Sequence, residues 1–425
     1  MPNPTLADVL AGAFLAGDPT RDQIVARAAH TLGRRWPFLN GVAQRYVAAI
    51  AGRTRPRHRD VVEFLNHDPN FTRHAHRLSV AHLLTGPPRM QPVVAAASWD
   101  IPEITTTGAL AAWLGITPSE LAWFADLKDL AHKRPLLTHY HYRVLTKRSG
   151  AVRLIESPKP RLKHYQRQIR TGILDHIPPH PAVHGFRKHR SIQSFVAPHT
   201  GRRVVLRMDL TDFFPTFAAA RIQAFFRTAG YPEPVADLLG GICTNAAHVP
   251  GLDFETRTLY GRPHLPQGAP TSPALANLCF YRVDRRLRGL AESAGAVYTR
   301  YADDLAFSSD APFDRHVERF STYVAAVLLD EGFHVNHHKT RIMHQCVRQR
   351  LAGLVANQRI NIPRPDFDTL KATLTNCIRE GPDTQNRAAH PNFRAHVDGR
   401  IAFMESVNPT KAQRLRALFS QIRWP

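Results

Sequence analysis

Two adjacent aspartates, Asp303 and Asp304, stand between two apolar runs, Ala296-Val-Tyr-Thr-Arg-Tyr301 and Leu305-Ala-Phe-Ser308. The pattern predicts two strands that turn at Ala302-Asp303-Asp304. Such a turn is costly, because neighbouring carboxylates repel and the flanking apolar strands place them beside a partly dry surface. A solvated turn is the ordinary account of a lone Asp-Asp pair. A divalent cation is the other: magnesium takes oxygen ligands and commonly bridges protein carboxylates to substrate phosphates. A further strand, predicted over Arg203–Leu210, ends in a third carboxylate, Asp209. A third carboxylate from another strand would complete a two-metal site, in which one metal activates an attacking 3′-hydroxyl and the other holds a triphosphate.

The rest of the chain supplies the frame. Between the two aspartate segments lies a Gly/Pro-rich loop, Leu265-Pro-Gln-Gly-Ala-Pro-Thr-Ser-Pro273, leading into a helix through Ala274–Phe280. Val317, Phe320, Val324, Val327 and Leu328 fall at helical spacing, and Gly332 ends that helix. Upstream, Thr117-Pro-Ser-Glu120 reads as a capping box. Tyr142–Thr146 and Val152–Ile155 flank Lys147-Arg-Ser-Gly150, a hairpin with a basic tip. Residues 1–95 read as basic helices, with Ile24, Ala28 and Leu32 at helical spacing, basic residues clustered at Arg53, Arg55, Arg57, His58 and Arg59, and a break at Thr85–Pro88. A short strand (Gln358–Ile362) precedes C-terminal helices that carry dispersed arginines.

The 425 residues contain 56 Lys and Arg against 34 Asp and Glu, a formal net charge of +22. That excess points to a polyanionic partner, a nucleic acid before an acidic membrane face. No apolar run reaches the ~18–20 residues needed to cross a bilayer, and Met1–Ala13 lacks the pattern of a signal peptide. Four scattered cysteines, none in a CxxC, argue against disulfides and a cysteine zinc site and fit a reducing cytoplasm. The pairs His74/His76, His139/His141 and His337/His338 lack a four-ligand spacing and so do not read as zinc sites.

Six segments in this order resemble the motifs of reverse transcriptases: Lys147–Ile155 (the fingers hairpin), His184-Gly-Phe-Arg-Lys-His-Arg-Ser191, Met208-Asp-Leu-Thr-Asp-Phe-Phe214, Leu265–Pro273, Tyr301-Ala-Asp-Asp304 and Asn336-His-His-Lys-Thr340. The resemblance spans about residues 105–425. Asn245-Ala-Ala-His248 resembles the NAxxH element of the bacterial retron group, and the wording of Leu265–Pro273 is also retron-like. Where retrons carry Val-Thr-Gly, this chain has Leu351-Ala-Gly353, which retains only the glycine.

The resemblance implies an α+β right-handed polymerase fold of fingers, palm and thumb with a helical N-terminal extension. Residues 1–104 form the extension, 105–355 the fingers and palm, and 356–425 the thumb. Within that frame the fingers cover 105–205 and 218–264, and the palm 206–217 and 265–355. Asp209, Asp303 and Asp304 are then catalytic and hold two Mg2+ ions. Arg153, and less directly Lys147, meets the nucleotide triphosphate; a surface arginine is the alternative reading of Arg153. Gln267 and Gly268 lie under the nucleotide and template. Phe214 resembles the steric gate against a ribose 2′-hydroxyl, with plain core packing the alternative. Lys339 is placed to donate a proton to pyrophosphate, or is simply solvated. Asn245 and His248 read either as an RNA-contacting pair or as local capping, and Gly353 as an RNA contact.

The implied activity is RNA-directed DNA polymerisation on the enzyme's own structured noncoding RNA, primed from a guanosine 2′-hydroxyl. The implied partners are that RNA, deoxynucleotides, the RNA–DNA duplex and a separate effector protein in antiphage defence, with no membrane. The nearest rivals are a defence-associated or intron-type reverse transcriptase with another primer, and a non-catalytic RNA-binding scaffold. The absence of an HNH signature weighs against the intron type, and the intact aspartates weigh against the scaffold.

Overall fold

The computed structural model describes residues 4–50, 56–84, 89–134, 137–146 and 152–424. Lys147 and the rest of the hairpin tip, Arg53, Arg55 and the Thr85–Pro88 break lie outside the described residues. The chain forms two compact units, one of Met1–His176 with Ala218–Pro263, the other of Ile177–Phe217 with His264–Pro425.

The first unit opens with five helices, Leu6–Leu15, Arg21–Thr31, Phe38–Ile50, His58–His67 and Pro69–Ala75. Thr5 and Asp8 cap the first of them reciprocally. Leu10, Phe14, Ile24, Ala28, Tyr46 and Leu65 share one apolar core, to which Leu32 also belongs, as its spacing predicts. The basic cluster at the start of the fourth helix is not wholly solvated. Arg57 donates to Gln223 at 2.6 Å and the His58 backbone N–H donates to Glu233 at 2.8 Å, so both tie this bundle to the helices Ala219–Thr228 and Glu233–Cys243. The predicted capping box forms at Thr117 and Glu120. Strands β1 (Tyr140–Thr146) and β2 (Val152–Pro158) pair antiparallel, with Leu145 opposite Arg153.

The second unit is built on a four-stranded antiparallel sheet. Its strands are β3 (Val204–Asp209), β4 (Val297–Tyr301), β5 (Asp304–Ser309) and β6 (Arg341–His344), in the order β4-β5-β3-β6. Register fixes its two faces, because side chains alternate along a strand. Opposite residues share a face, so Val205, Arg207 and Asp209 of β3 lie with Ser308, Ala306 and Asp304 of β5. Val205, Ala306 and Met343 share a core with Leu370, Leu374, Val397, Ile401 and Leu415 of the C-terminal helices Arg364–Glu380, Phe393–Val407 and Pro409–Phe419. On the other face, Phe307 meets Phe320 of the helix Val317–Asp330 edge to face at 5.2 Å. That helix buries Val317, Phe320, Val324 and Leu328 and stops at Gly332, whose φ of 82° only glycine adopts freely.

Two short strands, β7 (Arg350–Leu351) and β8 (Leu354–Val355), follow. The expected strand over Gln358–Ile362 reduces to a single bridge between Asn361 and Val355. The Asn361 side chain takes the Ile362 N–H at 2.9 Å, and Pro363 stands at the start of the next helix.

Phe213, Phe217, Phe280 and Phe333 form one buried aromatic cluster, with Phe280 and Phe333 4.7 Å apart. Phe333→Ala should therefore cost about 3–5 kcal/mol. Urea unfolding followed by tryptophan fluorescence measures this; a midpoint unchanged from wild type would contradict the packing.

Candidate active site

The end of the sheet gathers the three aspartates. Asp209 is the last residue of β3 and the register partner of Asp304, the first of β5. Tyr301 pairs with Asp304, so Ala302 and Asp303 form a two-residue turn between β4 and β5. Ala302 has φ 55°, the left-handed region, where a Cβ is strained. The turn is held from outside: Leu210 N–H donates to the Asp303 carbonyl at 3.0 Å, and Asn336 N–H to the Asp209 carbonyl at 2.7 Å.

The electrostatics are those of crowded acids. Burial first, and then the Asp209 charge, raise the Asp303 carboxyl above its ordinary value. Asp304 is raised too, since burial outweighs the opposing effect of Arg207. Two cations answer the crowding. Arg207, on the same face of β3, donates twice to Asp304 at 2.8 and 2.6 Å. The Lys339 ammonium reaches both Asp209 oxygens, at 3.1 and 2.9 Å. Among the described residues no three His, Cys, Asp or Glu side chains already stand as a metal cluster. The donor set nonetheless fits hard divalent cations: three carboxylates on adjoining strand ends, two of them raised by burial and like charge.

An aromatic shelf adjoins the turn. Phe213 is buried in the core, whereas Phe214 is only half-buried and faces Phe186 at 6.3 Å. Phe186 is 53% exposed, has φ 57°, and lies 6.4 Å from Tyr301. The segment carrying it runs directly beneath the turn, where a Cβ on Gly185 would come within 2.7 Å of the Ala302 nitrogen. In the loop before the helix Ser272–Cys279, Gln267 is half-buried and Gly268 exposed with φ 139°. Ser272 Oγ closes that loop by donating to the Pro266 carbonyl at 2.7 Å.

Residues 145–376 match the family model described as reverse transcriptase (RNA-dependent DNA polymerase). The chain is 38% identical to the retron Mx65 reverse transcriptase of Myxococcus xanthus, over 75% of this chain and 72% of that protein. It is 34% identical to the retron Mx162 reverse transcriptase of the same organism, over 75% and 67%. The retron Ec86 reverse transcriptase of Escherichia coli is 31% identical over 67% and 82%. The chain belongs to the bacterial retron reverse transcriptases. It is accordingly an RNA-directed DNA polymerase with the mixed α and β fold of that family, a family that is generally metal-dependent. No helix among its described residues is long and apolar enough to cross a membrane.

The remaining sequence-derived residues of this reverse transcriptase sit in varied surroundings. Arg153 is exposed on β2. Asn245 donates to Glu156 at 2.7 Å and to the Tyr142 hydroxyl at 3.1 Å, so its amide nitrogen is committed to holding the β1–β2 hairpin. His248 contacts Asp129 at 3.2 Å. Gly353 is exposed at the β7–β8 turn with φ 86°, beside Ala352 with φ 45°. Left-handed geometry at both central positions is what a tight type I′ turn requires, which accounts for the glycine.

Sequence reasoning missed Arg207 and Phe186. Arg207 was readable as the residue two before Asp209, on the same strand face; Phe186 lay inside a quoted motif without a role. The raised carboxyls give a test. A group whose folded value is raised stabilises fully below its unfolded value and loses that contribution as pH rises through the folded one. In EDTA, Asp303→Asn should therefore melt higher than wild type at pH 7–8. The gap should close as pH falls towards the ordinary 3.8. A pH-independent difference in a scanning-fluorimetry series would contradict the crowding.

Proposed function

We propose that this reverse transcriptase copies part of its own structured noncoding RNA into single-stranded DNA by a two-metal mechanism. The observation that carries the proposal is the meeting of Asp209, Asp303 and Asp304 at one sheet end, with the Asp303 and Asp304 carboxyls raised chiefly by burial. These three would hold two Mg2+ ions, which supply charge stabilisation for the attacking 3′-oxygen and the leaving pyrophosphate.

The chain's own residues do the rest. Arg153 and Lys147 bind the triphosphate, for which a guanidinium fork suits two phosphate oxygens. Gly268, exposed and in a backbone region closed to other residues, lets the chain approach the base pair, while Gln267 touches nucleotide or template. Phe214 excludes a ribose 2′-hydroxyl; its half-exposed ring beside Phe186 supports this over core packing. Lys339, with a side chain 53% exposed, is free to turn from Asp209 and protonate the leaving pyrophosphate. His248, the hairpin fixed by Asn245, and Gly353 meet the noncoding RNA. Gly353 lines a cavity of about 390 Å³ with His396, Arg400 and Phe403, chemistry suited to an unstacked base and its phosphate.

In this reading residues 1–104 are an N-terminal extension, 105–355 fingers and palm, and 356–425 a thumb gripping the RNA–DNA duplex. Priming starts from a guanosine 2′-hydroxyl, and the branched product acts with a separate effector in antiphage defence in the cytoplasm. The resemblance to retron enzymes supports these assignments.

Asp209→Asn and Asp303→Asn should each lower single-nucleotide incorporation by about 100-fold or more. RNA affinity should stay within about twofold, because it comes from the distributed basic surface. Retained extension by either purified variant would refute the metal assignment. Phe214→Ala should admit ribonucleotides, with the dNTP/rNTP preference in single-turnover incorporation falling by about tenfold or more. An unchanged preference would return Phe214 to a packing role.

A further inference from the structure

Directly before the catalytic turn, β4 buries a charge. Arg300 and Asp284 are both fully inaccessible to solvent. Their contact is bidentate, with Arg300 Nε to Asp284 Oδ1 at 2.9 Å and Nη2 to Oδ2 at 2.8 Å. Tyr298 donates its hydroxyl to the same carboxylate at 2.8 Å, and the guanidinium lies 4.6 Å from the centre of the Phe280 ring. The remaining nitrogen of the fork points away from the ion pair. Arg300 Nη1 donates to the Ala302 carbonyl and to Asn277 Oδ1, both at 3.1 Å. Asn277 in turn donates to the Gly185 carbonyl at 2.9 Å, and Gly185 is packed against the Ala302 nitrogen.

An ion pair this deep is a poor source of stability, since apolar residues of equal volume commonly do as well. What it supplies here is direction. The Ala302 carbonyl belongs to the peptide plane whose nitrogen is that of Asp303. A guanidinium fixed on Asp284 and hydrogen-bonded to that carbonyl sets the plane, and with it the departure angle of the Asp303 side chain. Ala302 is held at a φ of 55° that its Cβ disfavours, so the turn needs such a hold.

We propose that Arg300, anchored by Asp284, is a positioning residue that orients Asp303 for cation binding through the Ala302 carbonyl. The proposal rests on the reading of Asp303 as a metal-holding carboxylate. Two variants test it. Arg300→Lys keeps a charge beside Asp284 but lacks the fork needed to hold the carbonyl as well. The triple variant Arg300→Met/Asp284→Leu/Tyr298→Phe removes the buried charges together and leaves no orphaned partner among those three.

Each is compared with wild type in four measurements: thermal midpoint, primer–template Kd, Mn2+ affinity by EPR titration, and steady-state incorporation. The expected result is a midpoint within about 5 °C of wild type for at least one variant. That variant should have an unchanged primer–template Kd, Mn2+ affinity at least about tenfold weaker, and kcat down by about 10–100-fold, with nucleotide KM nearly constant. A folded variant with wild-type Mn2+ affinity and kcat overturns the proposal, and so does failure of both to fold, which would make the pair a stability element alone. If Asp303→Asn binds Mn2+ like wild type and still extends primers, the underlying reading of Asp303 fails instead.

Discussion

Repulsion among three carboxylates brought to one end of a largely buried sheet is the constraint around which the second unit is arranged. Register alone sets Asp304 opposite Asp209, and the two-residue turn puts Asp303 next to both. Burial enlarges the penalty, because charges in a low-dielectric setting interact more strongly and are less well solvated. The fold does not dilute the charge by moving the groups into water. It keeps them in place with backbone ties from Leu210 and Asn336 and meets them with Arg207 and Lys339. These cations differ in kind. Arg207 grips Asp304 with two nitrogens from a neighbouring strand position, while Lys339 is a point charge on an exposed stem.

Holding acids in such a setting demands a stiff foundation, and the two faces of the sheet provide it differently. One face carries small and branched residues into the core of the C-terminal helices. The other presents Phe307, whose edge-to-face contact with Phe320 fixes relative orientation as well as area. The polar groups between β4 and β5 are paired. His199 lies wholly buried between Ser308 and Thr299, 2.7 Å from each, and burial pushes its imidazole down to about 3. It is therefore neutral at physiological pH and links β4 to β5 without adding charge. The aspartates thus stand out as the place where charge is left crowded.

The strands around Asp209 and Asp303 were legible because short apolar runs and a turn-bound Asp-Asp pair are local signals. The capping box at Thr117 and the helix ending at Gly332 were legible for the same reason. What sequence could not reveal was partnership across distance. Asn245 looked like half of a surface pair, yet its amide nitrogen belongs to Glu156, 89 positions away. Arg207 read as one more basic residue in a basic chain until register set it diagonally against Asp304. Gly353 retains a family glycine, and the backbone shows a local reason for it, since a left-handed turn needs glycine whether or not RNA is near. Phe213 and Phe214 are chemically identical neighbours; only the strand end separates the core ring from the one beside the turn.

The excess of positive charge deserves the same discrimination, because a net charge counts residues and a nucleic acid meets only the cations left over. Arg45, Arg207, Arg286, Arg300 and Arg416 are spent on Asp68, Asp304, Glu331, Asp284 and Glu405. Those bonds shape the protein and are closed to phosphate unless broken. Among the described residues, Arg387, Arg394, Arg400 and Arg414 of the C-terminal helical region make no ion pair, and they lie on or beside helices whose other face is the shared core. Unpaired cations can exchange counterions for phosphates, which is where salt-dependent affinity comes from. Charge fixed in pairs shapes the fold, and charge left unpaired is what a polyanion can meet; a sequence total of +22 merges the two.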